Sequence, residues 1–411
     1  MPIISLFSGC HYSNEFIEAG SIERALINKL GLTALLERDV IEETSRRFNV
    51  PTKKLMRALY HTPSVFNDFT HEKQRHLAYI QLILAERLRG DNLLVKGFVA
   101  HLVADTISHV LKVCVIADIQ YRKTILMQAE KLWEKEALAA IQGYDNEINQ
   151  LTQYLFNKNP WEPSLYDILI PLDKVSLEEA LTIISENLQK DVLQTTPQSQ
   201  QAVEDFILAS QVNLALVEEG HDVKVSASKG DVLITIDKHT LRLKKLEGDL
   251  IRIAQPLPGV KNVSTTTGPG FNDAIYRRYN FELPSKVLLV DDEKDFALTL
   301  SKRLHMRDIG TAAVFSGEDA LSFVDDEMPD VLVLDLKMDG MDGMEVLRRV
   351  KQKHPHVEVI ILTGHGTDKD RDMAKELGVY AYFEKPVDID NLLTALKEAN
   401  TKAISAKLLH R

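Results

Sequence analysis

The sequence VLVLDLKMDGMDGMEVL, from Val331 to Leu347, joins an apolar strand to an amphipathic helix through a turn that starts with an aspartate. An apolar run of this length, bounded by turn residues, predicts a strand that is buried on both faces. Similar strands are predicted at 286–290, 311–315, 357–362 and 379–383. Helical patterns alternate with them, at 294–307, 317–325, 342–354, 367–377 and 388–399. This alternation predicts a doubly wound (βα)5 parallel sheet with helices on both faces.

Chemically active side chains follow these predicted strands at one end: Asp291, Asp292, Asp335, Thr363 and Lys385. In a doubly wound sheet the carboxyl ends of the strands meet at one edge, where ligands bind. Three carboxylates crowded there are costly unless a cation joins them, and oxygen ligands suit Mg²⁺. A carboxylate can attack a phosphoryl group, while a threonine hydroxyl and a lysine can hold its oxygens. An aspartate after a strand is often only a helix cap, but five such residues at four strand ends favour a phosphoryl-transfer site.

The segments LLVDDE, VLVLDLKMDGMDGMEVL, VIILTGHG and YFEKP resemble the response-regulator receiver family over about residues 284–402. The resemblance implies that Asp335 accepts phosphate from a histidine kinase or a histidine phosphotransfer protein. It also implies that Asp291, Asp292 and Asp335 bind Mg²⁺ together with the backbone carbonyl of Lys337.

The resemblance further implies a switch in which Thr363 and Lys385 bind the phosphoryl group. Thr363 moves toward phosphate, and the ring of Tyr382 turns inward, which remodels the last helix–strand–helix face. One position departs from the family, because its usual Met-Pro-Gly is Met338-Asp339-Gly340 here. Asp339 either alters metal affinity and autodephosphorylation or is a solvated turn residue, and we favour the turn residue.

The stretch IISLFSGCHYSNEFIEAG, from Ile3 to Gly20, predicts a strand, a loop and a helix. This is the setting of a phosphate-binding loop. However, Asn14, Glu15 and Phe16 stand where that loop needs Gly-Lys-Ser/Thr. A carboxylate in place of the lysine repels phosphate.

The segments LLVKGFVAHLV (93–103) and PSLYDILIPLDKVSLEEALTII (163–184) resemble the cytidylate kinase-like family of P-loop kinases, over about residues 1–190. The resemblance implies a parallel sheet, with Gly9, Ser13 and Lys96 as candidates for a degenerate nucleotide site. The charged stretch 121–137 predicts a helix. No arginine occurs between Trp133 and Pro160, where a lid should supply cations to the transferring phosphate. Without the loop lysine and lid arginines, we predict a pseudokinase used for binding or dimerisation rather than an enzyme.

The stretch between these domains predicts the order α-β-β-α-β, with a hairpin turn at Lys229-Gly230. This pattern and the phrase PGVKNV resemble the BON domain, which implies docking to a partner or to another copy of the chain. The polar stretch LQTTPQSQQ (193–201) predicts a linker before it. The predicted organisation is therefore a kinase-like domain at 1–192, a middle module at 199–268, a linker at 269–284 and a receiver at 285–402.

Composition excludes several classes of function. A net charge of −11 argues against a mainly electrostatic nucleic-acid binder, so DNA is not expected as a partner. Two cysteines exclude a disulfide framework and favour a cytoplasmic setting. No apolar run approaches the roughly 20 residues of a membrane span.

Three functions remain open from the sequence. The first is a binding protein that is controlled by phosphorylation and that could act as a homodimer. The second is a receiver-regulated nucleoside monophosphate kinase, which would bind nucleotide. The third is a phosphate relay or sink with a scaffold at its N-terminus.

Overall fold

A computed structural model describes residues 3–8, 21–240, 242–271, 276, 284, 286–364 and 366–409. Gly9, Ser13 and most of the predicted linker 269–284 lie outside the described residues. The chain divides into two compact units. The first contains Met1–Thr62 and Glu72–Tyr276, and the second contains Pro63–His71 and Arg277–Arg411.

The strands of the described residues are β1 (Ile3–Ser8), β2 (Thr33–Leu36), β3 (Leu93–Lys96), β4 (Val110–Ile116), β5 (Ile168–Pro171), β6 (Lys224–Ser228), β7 (Asp231–Ile236), β8 (Asn262–Thr267), β9 (Val287–Val290), β10 (Thr311–Val314), β11 (Val331–Leu334), β12 (Glu358–Thr363) and β13 (Ala381–Glu384). The α-helices are α1 (Ile22–Leu30), α2 (Glu37–Phe48), α3 (Thr52–Tyr60), α4 (Asn67–Thr70), α5 (Glu72–Arg87), α6 (Ile119–Glu130), α7 (Glu134–Phe156), α8 (Leu177–Leu188), α9 (Pro197–Glu218), α10 (Leu243–Ala254), α11 (Lys294–His305), α12 (Gly317–Glu327), α13 (Gly343–Lys353), α14 (Asp368–Glu376) and α15 (Ile389–Leu409). Short 3-10 helices occupy Phe98–Leu102, Pro163–Leu165 and Asp191–Leu193.

The first unit is built on a parallel sheet with strand order β2-β3-β1-β4-β5. Strand β1 is buried along its whole length because both faces of the sheet are covered. Ile3 and Phe7 belong to the core on one face, with residues of α2, α3, α5 and α7. Ile4 and Leu6 belong to the core on the other face, with residues of α1 and α8. The predicted kinase-like parallel sheet is confirmed.

Two local predictions in the first unit were wrong. The stretch 121–137 is not one helix, because Lys131 is left-handed (φ 56°) and ends α6, and α7 starts three residues later. The stretch 193–201 is not all linker, because Pro197 opens α9 at the first helical position. Proline is well suited there, since its missing N–H has no intrahelical partner to lose. The Thr196 hydroxyl caps α9 by accepting the N–H of Ser199.

The middle module has its own three-stranded sheet with order β6-β7-β8, in which β6 and β7 are antiparallel and β7 and β8 are parallel. Its turn is formed by Lys229 (φ 52°) and Gly230 (φ 96°), as the hairpin pattern predicts. Helices α9 and α10 cover one face of this sheet through Val212, Leu216 and Leu250. The α-β-β-α-β order is confirmed, while the BON resemblance and the domain boundaries stay predictions.

The second unit contains a parallel sheet with strand order β10-β9-β11-β12-β13. The core on one face includes residues of α12, α13 and α14, and the core on the other includes residues of α11 and α15. The predicted (βα)5 doubly wound fold is therefore confirmed. Among the described residues, no helix is both long and apolar enough to cross a membrane.

The start of α13 fixes the backbone after β11. The N–H of Gly343 donates to the Leu336 carbonyl at 3.1 Å. A Cβ at Gly343 would overlap the Asp335 carbonyl oxygen and lie 2.8 Å from the Leu336 Cα. The helix can reach this position only with glycine.

We predict that Gly343→Ala destabilises the second unit by about 1–3 kcal/mol, the usual cost of an overpacked site. The control is Gly364→Ala, because a Cβ there would have only the Lys385 Cδ nearby, at 3.8 Å. Hydrogen exchange of the β9 and β11 amides in the full chain measures the local free energy of opening. Equal values for the two variants would contradict this prediction.

Candidate functional site

Three carboxylates meet at the carboxyl edge of the second sheet. Asp291 follows β9 and Asp335 follows β11, which are neighbouring central strands. Each of these two residues is only 5% exposed, and Asp292 is half-buried. One oxygen of each of the three carboxylates lies within 4.8 Å of the others. The sequence prediction that these acids converge is confirmed by this geometry.

Backbone N–H groups hold each carboxylate in place. Asp291 Oδ1 accepts from Glu293 at 3.0 Å, Asp335 Oδ1 accepts from Lys337 at 3.1 Å, and Asp292 Oδ2 accepts from Asp339 at 3.1 Å. The first two are local turns, whereas the third joins residues 47 positions apart. The Asp339 side chain is exposed, as expected of a solvated turn residue, and its backbone N–H orients one acid of the cluster. A proline at this position could not make that bond.

Lys385 neutralises part of the acidic charge. Its Nζ lies 2.7 Å from Asp291 Oδ2, 2.8 Å from Asp335 Oδ2 and 3.2 Å from a Glu293 oxygen. Burial alone would lower the pKa of Lys385, but its hydrogen bonds to Asp291 and Asp335 raise it above the ordinary value. Burial raises the pKa of Asp291, which Lys385 partly offsets. The Lys385 backbone N–H donates to the Thr363 carbonyl at 2.9 Å, which fixes the lysine beside β12.

Thr363 and Tyr382, the predicted switch pair, both lie against Gly366. Thr363 ends β12 and is fully buried. The Tyr382 hydroxyl is buried and has no hydrogen-bond partner among the described residues. A Cβ at Gly366 would overlap that hydroxyl and lie 3.0 Å from the Thr363 Cγ2. The glycine thus makes room for the tyrosine close to the threonine.

The donor set of this cluster fits a hard divalent cation. All side-chain donors of the cluster are carboxylate oxygens, which such ions prefer over nitrogen or sulfur. Asp291, Asp292 and Asp335 could each supply one ligand. Lys337 adjoins the cluster through its N–H, and the use of its carbonyl as a ligand stays a prediction.

In the first unit, the structure places Lys96 in a buried ion pair. Lys96 ends β3 and is 3% exposed, and its Nζ lies 3.5 Å from an oxygen of Glu23, which is 0% exposed. Glu23 lies in the first turn of α1, the helix that follows residues 9–20, which lie outside the described residues. Lys96 therefore already has a buried counter-charge.

A second carboxylate, that of Glu37, accepts hydrogen bonds from the backbone N–H groups that follow Lys96. Gly97 has φ 109°, and the following N–H groups of Phe98 and Val99 donate to Glu37 Oε2 at 2.5 and 3.3 Å. The Tyr60 hydroxyl donates to the other oxygen of Glu37. Backbone N–H groups at such a turn are suited to bind anions. Here an internal carboxylate takes that place.

The sequence analysis missed Glu23, Glu37 and the N–H of Asp339. Both glutamates lie in the first turn of a helix, where an acid is expected simply because it suits the helix dipole. Their burial depends on tertiary packing. The Asp339 bond uses a backbone group, so the side-chain sequence carries no sign of it.

Comparison with known proteins finds that two parts of the chain match known families. Residues 287–397 match the response regulator receiver domain. Residues 20–174 match the cytidylate kinase-like family.

Relatives of the receiver region include Sporulation initiation phosphotransferase F of Bacillus subtilis (strain 168), which is 37% identical over 113 residues. That match covers 28% of this chain and 91% of the relative. Transcriptional regulatory protein GlrR of Escherichia coli (strain K12) is 36% identical over 116 residues, covering 28% of this chain but only 26% of that protein. Among solved structures, the signal receiver domain of a putative Luxo repressor protein from Vibrio parahaemolyticus is 29% identical. It covers 31% of this chain and 98% of that chain, with a TM-score of 0.30.

The acid cluster, the (βα)5 fold, the receiver-domain match and the similarity to Sporulation initiation phosphotransferase F agree. The chain therefore belongs to the response-regulator family of two-component signalling, with its receiver domain at residues 287–397.

Proposed function

We propose that this protein is a phosphorylation-controlled binding protein whose receiver accepts a phosphoryl group on Asp335. The donor is a histidine kinase or a histidine phosphotransfer protein. One observation carries the proposal: Asp335 lies buried beside two further carboxylates and within 2.8 Å of the Lys385 ammonium. A bound Mg²⁺, held by Asp291, Asp292 and Asp335, would neutralise charge on the incoming phosphoryl group.

The residues around Asp335 have separate roles in the proposed phosphoryl transfer. The Lys337 N–H holds Asp335 Oδ1, which orients the carboxylate. Attack on phosphorus forms the O–P bond of an aspartyl phosphate as the bond to the donor's nitrogen breaks. Lys385, now paired with the acids, is placed to bind a phosphoryl oxygen as a point charge. The hydroxyl of Thr363, at the end of β12, moves toward the phosphoryl group, and the ring of Tyr382 turns inward as the threonine moves.

We predict that Asp335→Asn abolishes labelling of the full chain by radioactive acetyl phosphate in the presence of Mg²⁺. The amide cannot act as the nucleophile. The control is Asp295→Asn, which removes an exposed acid from α11 and should leave labelling unchanged. Retained labelling in Asp335→Asn would show that the phosphoacceptor is another residue.

We predict that Asp339 sets Mg²⁺ affinity through its backbone N–H. Asp339→Asn keeps the N–H and removes the charge, whereas Asp339→Pro removes both. Groups that orient metal ligands typically contribute 10- to 100-fold in affinity, so Asp339→Pro should bind Mg²⁺ roughly 10-fold more weakly than Asp339→Asn. Calorimetric titration of Mg²⁺ measures both constants without any phosphoryl donor. If the two variants bind Mg²⁺ equally, the N–H does not orient Asp292.

For the first unit, we propose a pseudokinase, which is used for binding or dimerisation and does not catalyse phosphoryl transfer. Two features support this: Lys96 is paired with Glu23, and Glu37 fills the N–H groups of Phe98 and Val99. Each cation or donor removed from a phosphoryl-transfer site costs several kcal/mol of transition-state stabilisation. The absence of the loop lysine from the sequence acts in the same direction.

We predict no ADP release when the full chain is mixed with Mg²⁺-ATP and CMP in a coupled assay. Calorimetric titration with each nucleotide runs beside it. Turnover above the background of a Lys96→Met variant would contradict this proposal and support the receiver-regulated nucleoside monophosphate kinase. Binding without turnover would make the first unit a nucleotide-binding adaptor, which agrees with the proposal.

A further inference from the structure

The second unit includes a segment that is remote in sequence from the receiver. Residues Pro63–His71, here called the clasp segment, lie between α3 and α5 in the chain but group with the receiver. Phe66 at its centre is 0% exposed, while its neighbour Val65 is 61% exposed. The segment thus presents one large apolar side chain to the receiver and the next to solvent.

The contact of Phe66 with the receiver is specific in geometry. Its ring meets that of Phe323 on α12 edge to face, with centroids 5.8 Å apart and planes at 86°. This is a preferred arrangement for two aromatic rings. Phe66 therefore docks in a defined orientation rather than on a general apolar surface.

Polar groups fix the same docking. The Ser64 hydroxyl donates to Glu327 Oε2 at 2.5 Å. Glu327 lies four residues after Phe323 on α12, so the two share one face of the helix. The Phe66 N–H in turn donates to Ser64 Oγ at 3.2 Å. The clasp segment is held by an aromatic and a hydrogen-bonded contact one helical turn apart.

A second receiver helix takes part. The Phe69 ring lies 5.0 Å from the ring of His305, the last residue of α11. His305 Nε2 is within 3.3 Å of the Thr311 N–H, so it is anchored to β10. The clasp segment therefore contacts both helices that flank β10 in the chain.

Helix α12 also touches the loop that follows Asp335. A Cβ at Gly317, in the first turn of α12, would lie 2.8 Å from Met341 Cβ and 2.8 Å from Val346 Cγ2. The loop and the helix thus approach too closely for even a methyl group between them, and a shift of the loop toward the helix would displace α12. The 11 residues of α12 then connect the acid cluster at one end with the docking face at the other.

The ends of the clasp segment continue into the first unit. Thr62 and Glu72, the residues on either side, both belong to it. Two contacts within the first unit hold the residues on either side of the clasp segment. Lys73 Nζ donates to the His61 carbonyl at 2.6 Å, and Lys54 Nζ lies 3.4 Å from a carboxylate oxygen of Glu72. A change in docking is thus applied to the first unit through two covalent connections.

We propose that the clasp segment is the intramolecular ligand of the α11–α12 surface, and that its docking is coupled energetically to the phosphorylation of Asp335. The docking stands on its own contacts, whereas the coupling rests on the proposed function of Asp335. Because coupling between two sites is reciprocal, each must change the affinity of the other by the same factor.

The first test addresses docking alone, in the full chain, by hydrogen exchange read by mass spectrometry. Phe323→Ala should speed exchange of the 63–71 amides at least 10-fold, and Phe66→Ala should speed exchange in α12. The controls are Ser322→Ala on α12 and Val65→Ala on the clasp segment, both at exposed positions, which should change neither.

The β12 amides report general loss of receiver stability, because β12 contributes Val359 and Ile361 to the core against which Phe323 packs. If β12 and the 63–71 amides change equally in Phe323→Ala, the milder Phe66→Leu is compared with Phe66→Ala, and docking predicts partial rescue. Unchanged 63–71 exchange in Phe323→Ala, or no rescue by leucine, would overturn the docking.

The second test measures coupling with beryllofluoride and Mg²⁺, a phosphoryl analogue. Beryllofluoride should change the protection of the 63–71 amides at least threefold. Phe66→Ala should change the affinity for beryllofluoride by the same factor, with Val65→Ala unchanged. If beryllofluoride leaves the protection of the 63–71 amides unchanged and Phe66→Ala leaves the affinity for beryllofluoride unchanged, the coupling is overturned while the docking stands. Failure of beryllofluoride to bind at all would instead refute the proposed role of Asp335, and with it the coupling.

Discussion

The bridge that Lys385 makes between Asp291 and Asp335 is the interaction on which the receiver depends. The two carboxylates are almost fully buried and lie next to a third, so without a counter-charge their repulsion would oppose folding. Because the lysine follows β13 while the acids follow β9 and β11, the bridge requires the strands to run in parallel and to end together. In the proposed function, this ammonium also binds a phosphoryl oxygen, so that folding and phosphoryl binding use one set of charges.

The first unit shows a different arrangement on a comparable parallel sheet. There the groups that could bind phosphate are satisfied by the protein itself, since Glu23 pairs with Lys96 and Glu37 accepts from Phe98 and Val99. An internal carboxylate at such a site is always present, whereas a phosphate must bind against it. In the proposed function of the first unit, these internal contacts take the place of contacts that would otherwise serve phosphoryl transfer. Both lysines are paired with internal carboxylates, so the two sheets differ mainly in that the receiver has a cluster of three acids, whereas in the first unit Glu37 also occupies the backbone N–H groups after Lys96.

The sequence predicts those parts of the structure that depend on local pattern. The alternation of strands and helices and the placing of Asp335 after β11 follow from periodicity and from strand ends, so the receiver and its acid cluster could be predicted. The break at Lys131 could not, because the helical pattern continues through it and only a left-handed residue ends the helix. Glu37 and Phe66 could not be predicted either. Each acquires its role from a partner far away in the chain, and no local periodicity records such a contact.

The clasp segment is unusual in being attached at both of its ends. A free peptide with two phenylalanine contacts and one hydroxyl contact would bind a helical surface only weakly. Tethering replaces that binding with an intramolecular step at high effective concentration, so few contacts are enough to keep the segment docked. Because the contacts are few, a small displacement of α12 is also enough to change their strength. A weak contact with a short tether is therefore better suited to a reversible signal than a large apolar interface would be.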